Sequence, residues 1–334
     1  MELPPIAMRS FGRTDLRVSS IGLGCARIGG IFKQDPGSFV DLLSAALDGG
    51  INFFDTADMY SQGESETLLG RAFQGRREQV IIASKAGYRL PAQRRAIALI
   101  KPLVRPLIRL LGLRRESLPS AVRGAPSQDF SPAYLRRSVE GSLKRLRTDR
   151  LDLFQLHSPP AEVVARGDWA AGLDALRAEG KIRWYGVSCD DAAAAHAALK
   201  FPGVSSLQLP VSMIEHGIAD AVLPLARERG VAVIARECLA NGLLAKDPAQ
   251  LDLAAFCKTP EEQALRRRQL ANAQQLAVAQ KTSVQGLALQ YAAELPGVAV
   301  ALVGLRTHDQ LARTLKLLSE PALPEEALLR AAAV

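Results

Sequence analysis

The chain has 334 residues, 48% of them hydrophobic, and carries a formal net charge of +8 at pH 7. Its length suits one large barrel or two ordinary domains, and it can bury a sizeable core. The four cysteines, Cys25, Cys189, Cys238 and Cys257, lie far apart with no C-x-x-C pair, which argues against a disulfide framework or a thiolate zinc site and for a reducing cytoplasm.

The chain opens MELPPIAMRS, without the basic-then-apolar order of a secretory signal, and no apolar run reaches the roughly 18 residues of a membrane span. A soluble, cytoplasmic protein is expected. Met8 to Phe11 and Leu16 to Ser19 flank the turn-rich Gly12-Arg13-Thr14-Asp15, and together they predict a hairpin able to plug one end of a barrel. From there, β-rich apolar runs alternate with amphipathic helical ones. Strands are predicted at Ile21 to Leu23 and Phe53 to Phe54, with a helix over Ser38 to Leu47 between them. A helix over Glu64 to Phe73 precedes the strand Val80 to Ala83. After an insertion at about 89–127 come the helix Pro132 to Leu146 and the strand Leu151 to Leu156. The helix Trp169 to Glu179 leads to the strand Ile182 to Val187, and Ala192 to Leu199 to the strand Val204 to Leu209. The helix Ile218 to Arg229 precedes the strand Val231 to Ala235. The helix Glu261 to Gln280 precedes the last strand, Val298 to Val303, and a final helix covers His308 to Leu318.

Eight such alternations predict an α/β fold, a parallel sheet closed as a (β/α)8 TIM barrel, with the whole chain 1–334 as a single domain. A doubly wound sheet is the alternative. It needs a glycine-rich phosphate turn after its first strand, and Gly22-Leu23-Gly24-Cys25-Ala26-Arg27 lacks the third glycine.

The excess charge is local. Between Arg89 and Arg123 nine basic residues stand against the single acid Glu116, which accounts for the whole +8, so nucleic acid is not an expected partner. Within this segment Ile97, Ile100, Val104, Leu107, Ile108 and Leu111 share a helical face opposite Lys101, Arg105 and Arg109, interrupted by Pro102 and Pro106. It reads as a lid over the barrel mouth, in preference to a patch that contacts a membrane surface or a phosphorylated substrate.

Four side chains fall at or just past the ends of predicted strands: Asp55, Tyr60, Lys85 and His157. Each alone has a bland explanation: a helix cap for Asp55, a packed aromatic for Tyr60, a solvated end for Lys85, a structural role for His157. Strand ends of a barrel open on one face, however, so the four converge. Their types fit one task. A tyrosine gives and takes protons near neutrality when a cation stabilises its phenolate, a carboxylate keeps a buried lysine charged, and a histidine directs a carbonyl oxygen. With only His157, His196, His216 and His308 and no H-x-H pair, a metal-dependent hydrolase is disfavoured and no metal site is expected.

These residues sit in Gly50-Ile51-Asn52-Phe53-Phe54-Asp55-Thr56-Ala57-Asp58-Met59-Tyr60, Gly63-Glu64-Ser65-Glu66, Leu69-Gly70, Ser84-Lys85, Leu135-Arg136-Arg137-Ser138-Val139-Glu140-Gly141-Ser142-Leu143 and Leu151-Asp152-Leu153-Phe154-Gln155-Leu156-His157. Together they resemble the aldo-keto reductases, from about Met8 to Leu318 apart from the basic segment. The resemblance implies hydride transfer between a nicotinamide cofactor and a small carbonyl or sugar substrate. Tyr60 would be the general acid or base, Lys85 and Asp55 its tuning pair, and His157 the substrate orienter. It also implies cofactor contacts at Gly24, Cys25, Ser188 and Gln208 for the nicotinamide. Leu239, Gly242 and Leu243 would meet the pyrophosphate, and Gly304, Arg306 and Gln310 the adenosine phosphate. Arg306 favours NADP(H) over NAD(H), because a guanidinium fork matches a 2′-phosphate.

The chain departs from the family pattern in four places. Cys189 stands where an asparagine is usual, and Val211 where an aromatic residue is expected to stack on nicotinamide. Glu237-Cys238 replaces a serine and proline, and Arg313-Thr314 an adenine-binding pair. Arg27, Tyr88, Trp184 and Tyr185 are candidates to shape the substrate pocket. A nicotinamide-binding regulatory module with little turnover is the alternative function.

Overall fold

Eight of the apolar runs become strands whose hydrogen bonds close on themselves, which excludes the doubly wound alternative. The computed structural model describes residues 6–28, 36–89, 127–246 and 251–333. The hairpin strands are β1 (Met8–Ser10) and β2 (Arg17–Ser19). The barrel comprises β3 (Ile21–Gly24), β4 (Phe53–Asp55), β5 (Ile81–Ala86), then β8 (Leu151–His157), β9 (Ile182–Ser188), β10 (Val204–Pro210), β11 (Ala232–Arg236) and β12 (Val298–Val303). A small antiparallel pair, β6 (Tyr88–Arg89) and β7 (Ser127–Gln128), brackets the basic insertion. The insertion's lid-like helical reading, over residues 90–126, lies outside the described residues.

All barrel strands run parallel, in chain order, and β12 pairs back to β3 with Ala301 opposite Ile21. A strand buried on both faces needs apolar side chains at every position, and β12, Val-Ala-Val-Ala-Leu-Val, is buried throughout. The helices bury one stripe each. Helix 132–146 starts at Ser131, whose hydroxyl accepts from the Tyr134 amide, and buries Leu135, Val139 and Leu146. Helix 260–279 starts with a Thr259/Glu262 capping box.

The hairpin seals the N-terminal end of the barrel. Phe11, Leu16 and Val18 cluster with Phe53, Leu153, Ile234 and Val300 inside the floor, and Phe11 stacks on Phe53 with ring centroids 5.9 Å apart. Full burial of a side chain such as Phe11 contributes about 1.5–3 kcal/mol. Gly12 turns with φ +55°, and a side chain there would strike the Gly230 carbonyl, 2.5 Å from its Cβ position.

Among the described residues, three α-helices have no counterpart among the predicted elements: Ala161–Arg166, Val284–Glu294 and Glu325–Ala332. Residues 284–294 are buried nearly all round, including Leu287, Leu289, Tyr291 and Ala292. A helix with no solvent face has no amphipathic period to read. No helix of the described residues is long and apolar enough to cross a membrane.

Candidate active site

Asp55 closes β4, opposite Gly24 on one side and Ala83 on the other. Lys85 lies inside β5, which runs three residues beyond its predicted end at Ala83. Lys85 is 1% exposed and Asp55 3%, and Lys85 Nζ donates to Asp55 Oδ1 at 2.7 Å and to Oδ2 at 2.6 Å. Two charges this deep persist only because each satisfies the other. Gln208 Nε2 donates to the same Oδ1 at 2.8 Å, and Gln155 Nε2 approaches it at 3.5 Å.

Tyr60 begins a tight turn, Tyr60–Gly63, in which Ser61 and Gln62 take left-handed backbone angles, φ +51° and +62°. Ser61 Oγ fastens the turn to the Ile28 carbonyl at 2.8 Å. The Lys85 ammonium lies 5.3 Å from the Tyr60 ring centroid. Burial raises the Tyr60 phenol above its ordinary value, while the charge and hydrogen bond of Lys85 oppose the rise. For Lys85, burial pulls downward, but Asp55 and Tyr60 together outweigh it and hold the ammonium above the usual lysine range. The pair therefore presents a protonated phenol backed by a fixed positive charge.

His157 closes β8 opposite Ser188. Its ring meets Tyr60 and Tyr88 edge-on, with centroids 5.7 and 5.0 Å away. Burial first, then the charges of Lys85 and Arg236, push its pKa down to about 3. The imidazole is neutral near pH 7, so one ring nitrogen carries a proton it can donate to an oxygen.

Asp55, Tyr60 and His157 line a cleft of about 610 Å³, whereas Lys85, bonded to Asp55, is buried behind that wall. Among the expected cofactor residues, Gly24, Ser188, Gln208, Leu239, Gly242, Gly304, Arg306 and Gln310 line the cleft; so does Arg27. Cys25 and Leu243 do not: Cys25 is 0% exposed with its thiol toward the Leu23 carbonyl, and Leu243 packs into the cluster under helices 260–279 and 284–294. Val211, expected as a stacking position, is also fully buried, whereas Arg236, whose carbonyl accepts the Val211 amide at 2.9 Å, lines the cleft. Cys189 turns inward as well, its amide bonded to the Gln208 carbonyl at 2.9 Å. Thr314 is 1% exposed, and Arg313 Nε is bonded to the Asp309 carbonyl of its own helix. Tyr185 is core. Trp184 faces the barrel floor, donating to Asp15 at 2.8 Å under the Arg177 guanidinium.

A polar string along the cleft escaped the strand-end reading. Ser158 Oγ donates to Asp190 at 3.0 Å, Arg236 bridges Asp190 at 2.5 Å to Glu237, and Asn241 Nδ2 reaches Glu237 at 3.0 Å. Arg236 ends β11 as His157 ends β8, so the same positional rule reaches it once the strand is extended by one residue.

The donor set suits a nicotinamide dinucleotide. Ser188 and Gln208 offer a hydroxyl and an amide beside Asp55. Arg27, Arg236, Lys246 and Arg306 line the cleft as cations that could meet phosphates, and Phe256, 37% exposed, lies in the same wall. Among the described residues no cluster of three or more His, Cys, Asp or Glu could hold a metal ion.

The family model for the aldo/keto reductase family matches residues 20–333. The chain is 29% identical over 323 residues to the uncharacterised oxidoreductase YqkF of Bacillus subtilis (strain 168), covering 95% of this chain and 93% of the other. Among solved structures it is similar to the holo form of the aldo-keto reductase AKR11C1 from Bacillus halodurans, with a TM-score of 0.78 and 27% identity over 98% of this chain and 95% of that one. It is also similar to the glycerol dehydrogenase AKR11B4 from Gluconobacter oxydans, with a TM-score of 0.75 and 25% identity over 98% and 93%.

Proposed function

The chain belongs to the aldo/keto reductase family, and on that premise we propose that it interconverts a small aldehyde, ketone or aldose with the corresponding alcohol, using NADP(H) in preference to NAD(H) and Tyr60 as general acid and base. A bound nicotinamide supplies or takes the hydride. In the reducing direction Tyr60 gives its phenolic proton to the carbonyl oxygen. Lys85 stabilises the phenolate left behind, and Asp55, accepting from Lys85 at 2.6 and 2.7 Å, keeps that lysine charged at full burial. Neutral His157 donates a hydrogen bond to the same oxygen and fixes its direction. Oxidation reverses the proton steps.

The single observation that carries this reading is the buried Lys85–Asp55 pair beside the Tyr60 ring at the barrel mouth. Ser188 and Gln208 would hold the carboxamide, and Arg306 a 2′-phosphate. The test is NADPH oxidation with an activated aromatic aldehyde and a few aldoses, wild type beside Tyr60→Phe. Turnover that depends on Tyr60 supports the reading; protein that binds NADPH but turns over no carbonyl would replace it with a regulatory role.

A further inference from the structure

Behind the Tyr60–Lys85 pair, on the outer side of β5, lies a charged layer where apolar packing would serve the fold as well. Glu66, in the first turn of helix 64–72, is 0% exposed. Its Oε1 accepts from the Ser84 hydroxyl at 2.6 Å and its Oε2 from Arg145 Nε at 2.6 Å. One carboxylate thereby joins three elements: the helix that continues from the Tyr60 turn, the strand that carries Lys85 directly after Ser84, and helix 132–146. Arg145 also presses on the turn itself. A Cβ on Gly63, at φ +85°, would lie 2.7 Å from Arg145 Cδ and 2.9 Å from its Nε.

The turn needs such bracing. Left-handed Ser61 and Gln62 are strained for residues with a side chain and persist only when their surroundings over-determine them. Stability alone does not account for the carboxylate, because a buried ion pair often stabilises no more than apolar residues of equal volume.

We propose that Glu66 is a positioning residue: through Ser84 and Arg145 it fixes the Tyr60 turn against β5, so that the phenol hydroxyl stays on the Lys85 ammonium. This rests on the reading of Tyr60 as the proton donor. Glu66 touches no reacting atom. Its effect passes through Gly63, three residues from Tyr60, and through Ser84, the neighbour of Lys85.

The experiment compares Glu66→Leu, Glu66→Gln and Arg145→Lys in the full chain, each also carrying Tyr60→Phe as a blank. The readouts are kcat for NADPH-dependent aldehyde reduction, NADPH affinity by fluorescence, and the phenolate titration of Tyr60 by ultraviolet difference against the blank. Glu66→Leu should keep its fold by circular dichroism and bind NADPH within about twofold of wild type. Its kcat should fall about tenfold to a hundredfold, the scale of an ångström-sized misplacement. The Tyr60 titration should move to higher pH as the phenolate loses the nearby cation. Glu66→Gln, which keeps one accepting oxygen, should fall between, and Arg145→Lys should retain most of the rate. Should Glu66→Leu fail to fold, Glu66→Gln is judged by the same criteria. An unmoved Tyr60 titration overturns the proposal, as does a loss of kcat matched by an equal loss of NADPH affinity. Wild-type protein without Tyr60-dependent turnover would sink the enzyme reading instead, and the titration would then decide the positioning role by itself.

Discussion

Gln208 Nε2 donates to Asp55 Oδ1 at 2.8 Å, so a side chain expected to hold the cofactor is bonded to the carboxylate that holds Lys85. On the proposed reading, cofactor binding and the proton-transfer site share an amide. Gln208→Met should weaken NADPH binding by up to about tenfold, for the loss of a neutral hydrogen bond to the carboxamide, and should also lower kcat at saturating cofactor, for the loss of the bond to Asp55. Titration calorimetry beside steady-state kinetics separates the two effects. Weaker binding with an unchanged kcat would show that the bond to Asp55 has no catalytic weight.

Lys85→Met should cost both rate and stability. The phenolate loses its cation, a loss of about a hundredfold to ten-thousandfold in kcat for a group central to proton transfer, and Asp55 is left charged and buried, at a cost of about 3–5 kcal/mol. Tyr60→Phe, which strands no charge, should lose a comparable rate and little stability. Thermal melts of the two variants side by side distinguish them; equal melting temperatures would mean that Asp55 is not held ionised by Lys85.

His157 carries a pH signature. Its pKa is depressed to about 3 in the fold, against about 6.5 for an unperturbed histidine. The folded state then binds fewer protons than the unfolded one between those values, so its contribution to stability is present above pH 6.5 and is lost as the pH falls toward 3. The melting temperature of wild type should therefore drop faster than that of His157→Gln on acidification through this window. The kcat profile of wild type should show no imidazole inflection between pH 5 and pH 8. Such an inflection, absent in His157→Gln, would contradict a neutral imidazole.

Arg306 is exposed at the cleft, and its backbone amide is capped by Gln310 Oε1 at 2.8 Å. Arg306→Ala should raise the KM for NADPH by about tenfold, the scale of a charge-assisted hydrogen bond, and leave that for NADH nearly unchanged. Equal effects on both cofactors would remove the phosphate-binding role.

What could be read from the chain followed from periodicity. Asp55, Lys85 and His157 were legible because each comes at the end of an apolar run, and such ends meet at one face of a barrel. Tyr60 belongs to the same set, just past its strand's end, but the turn that delivers it leaves no local signature, because its left-handed residues, Ser61 and Gln62, are of ordinary type. Arg236 stands one residue past the run Val231 to Ala235, as His157 stands past its own, but its pairing with Asp190 and Glu237 leaves no local pattern, and Val211, which departs from the usual aromatic, is buried in the core. The Glu66–Arg145 pair joins residues 79 positions apart, a relation set by helix packing that no local pattern records. Helix 284–294 stayed hidden for the opposite reason, since its burial on every side erases the alternation that identifies a helix.

The seam between β3 and β12 has a consequence for the protein's synthesis. Ile21 finds its partner Ala301 only after about 280 further residues have been made, which at about 5–20 residues per second takes roughly 15 s to a minute. Through that interval the free edge of β3 faces other nascent chains with its hydrogen bonds unspent. Chaperone protection while the polypeptide is still on the ribosome should therefore raise the yield of closed barrels more than equal help given after release.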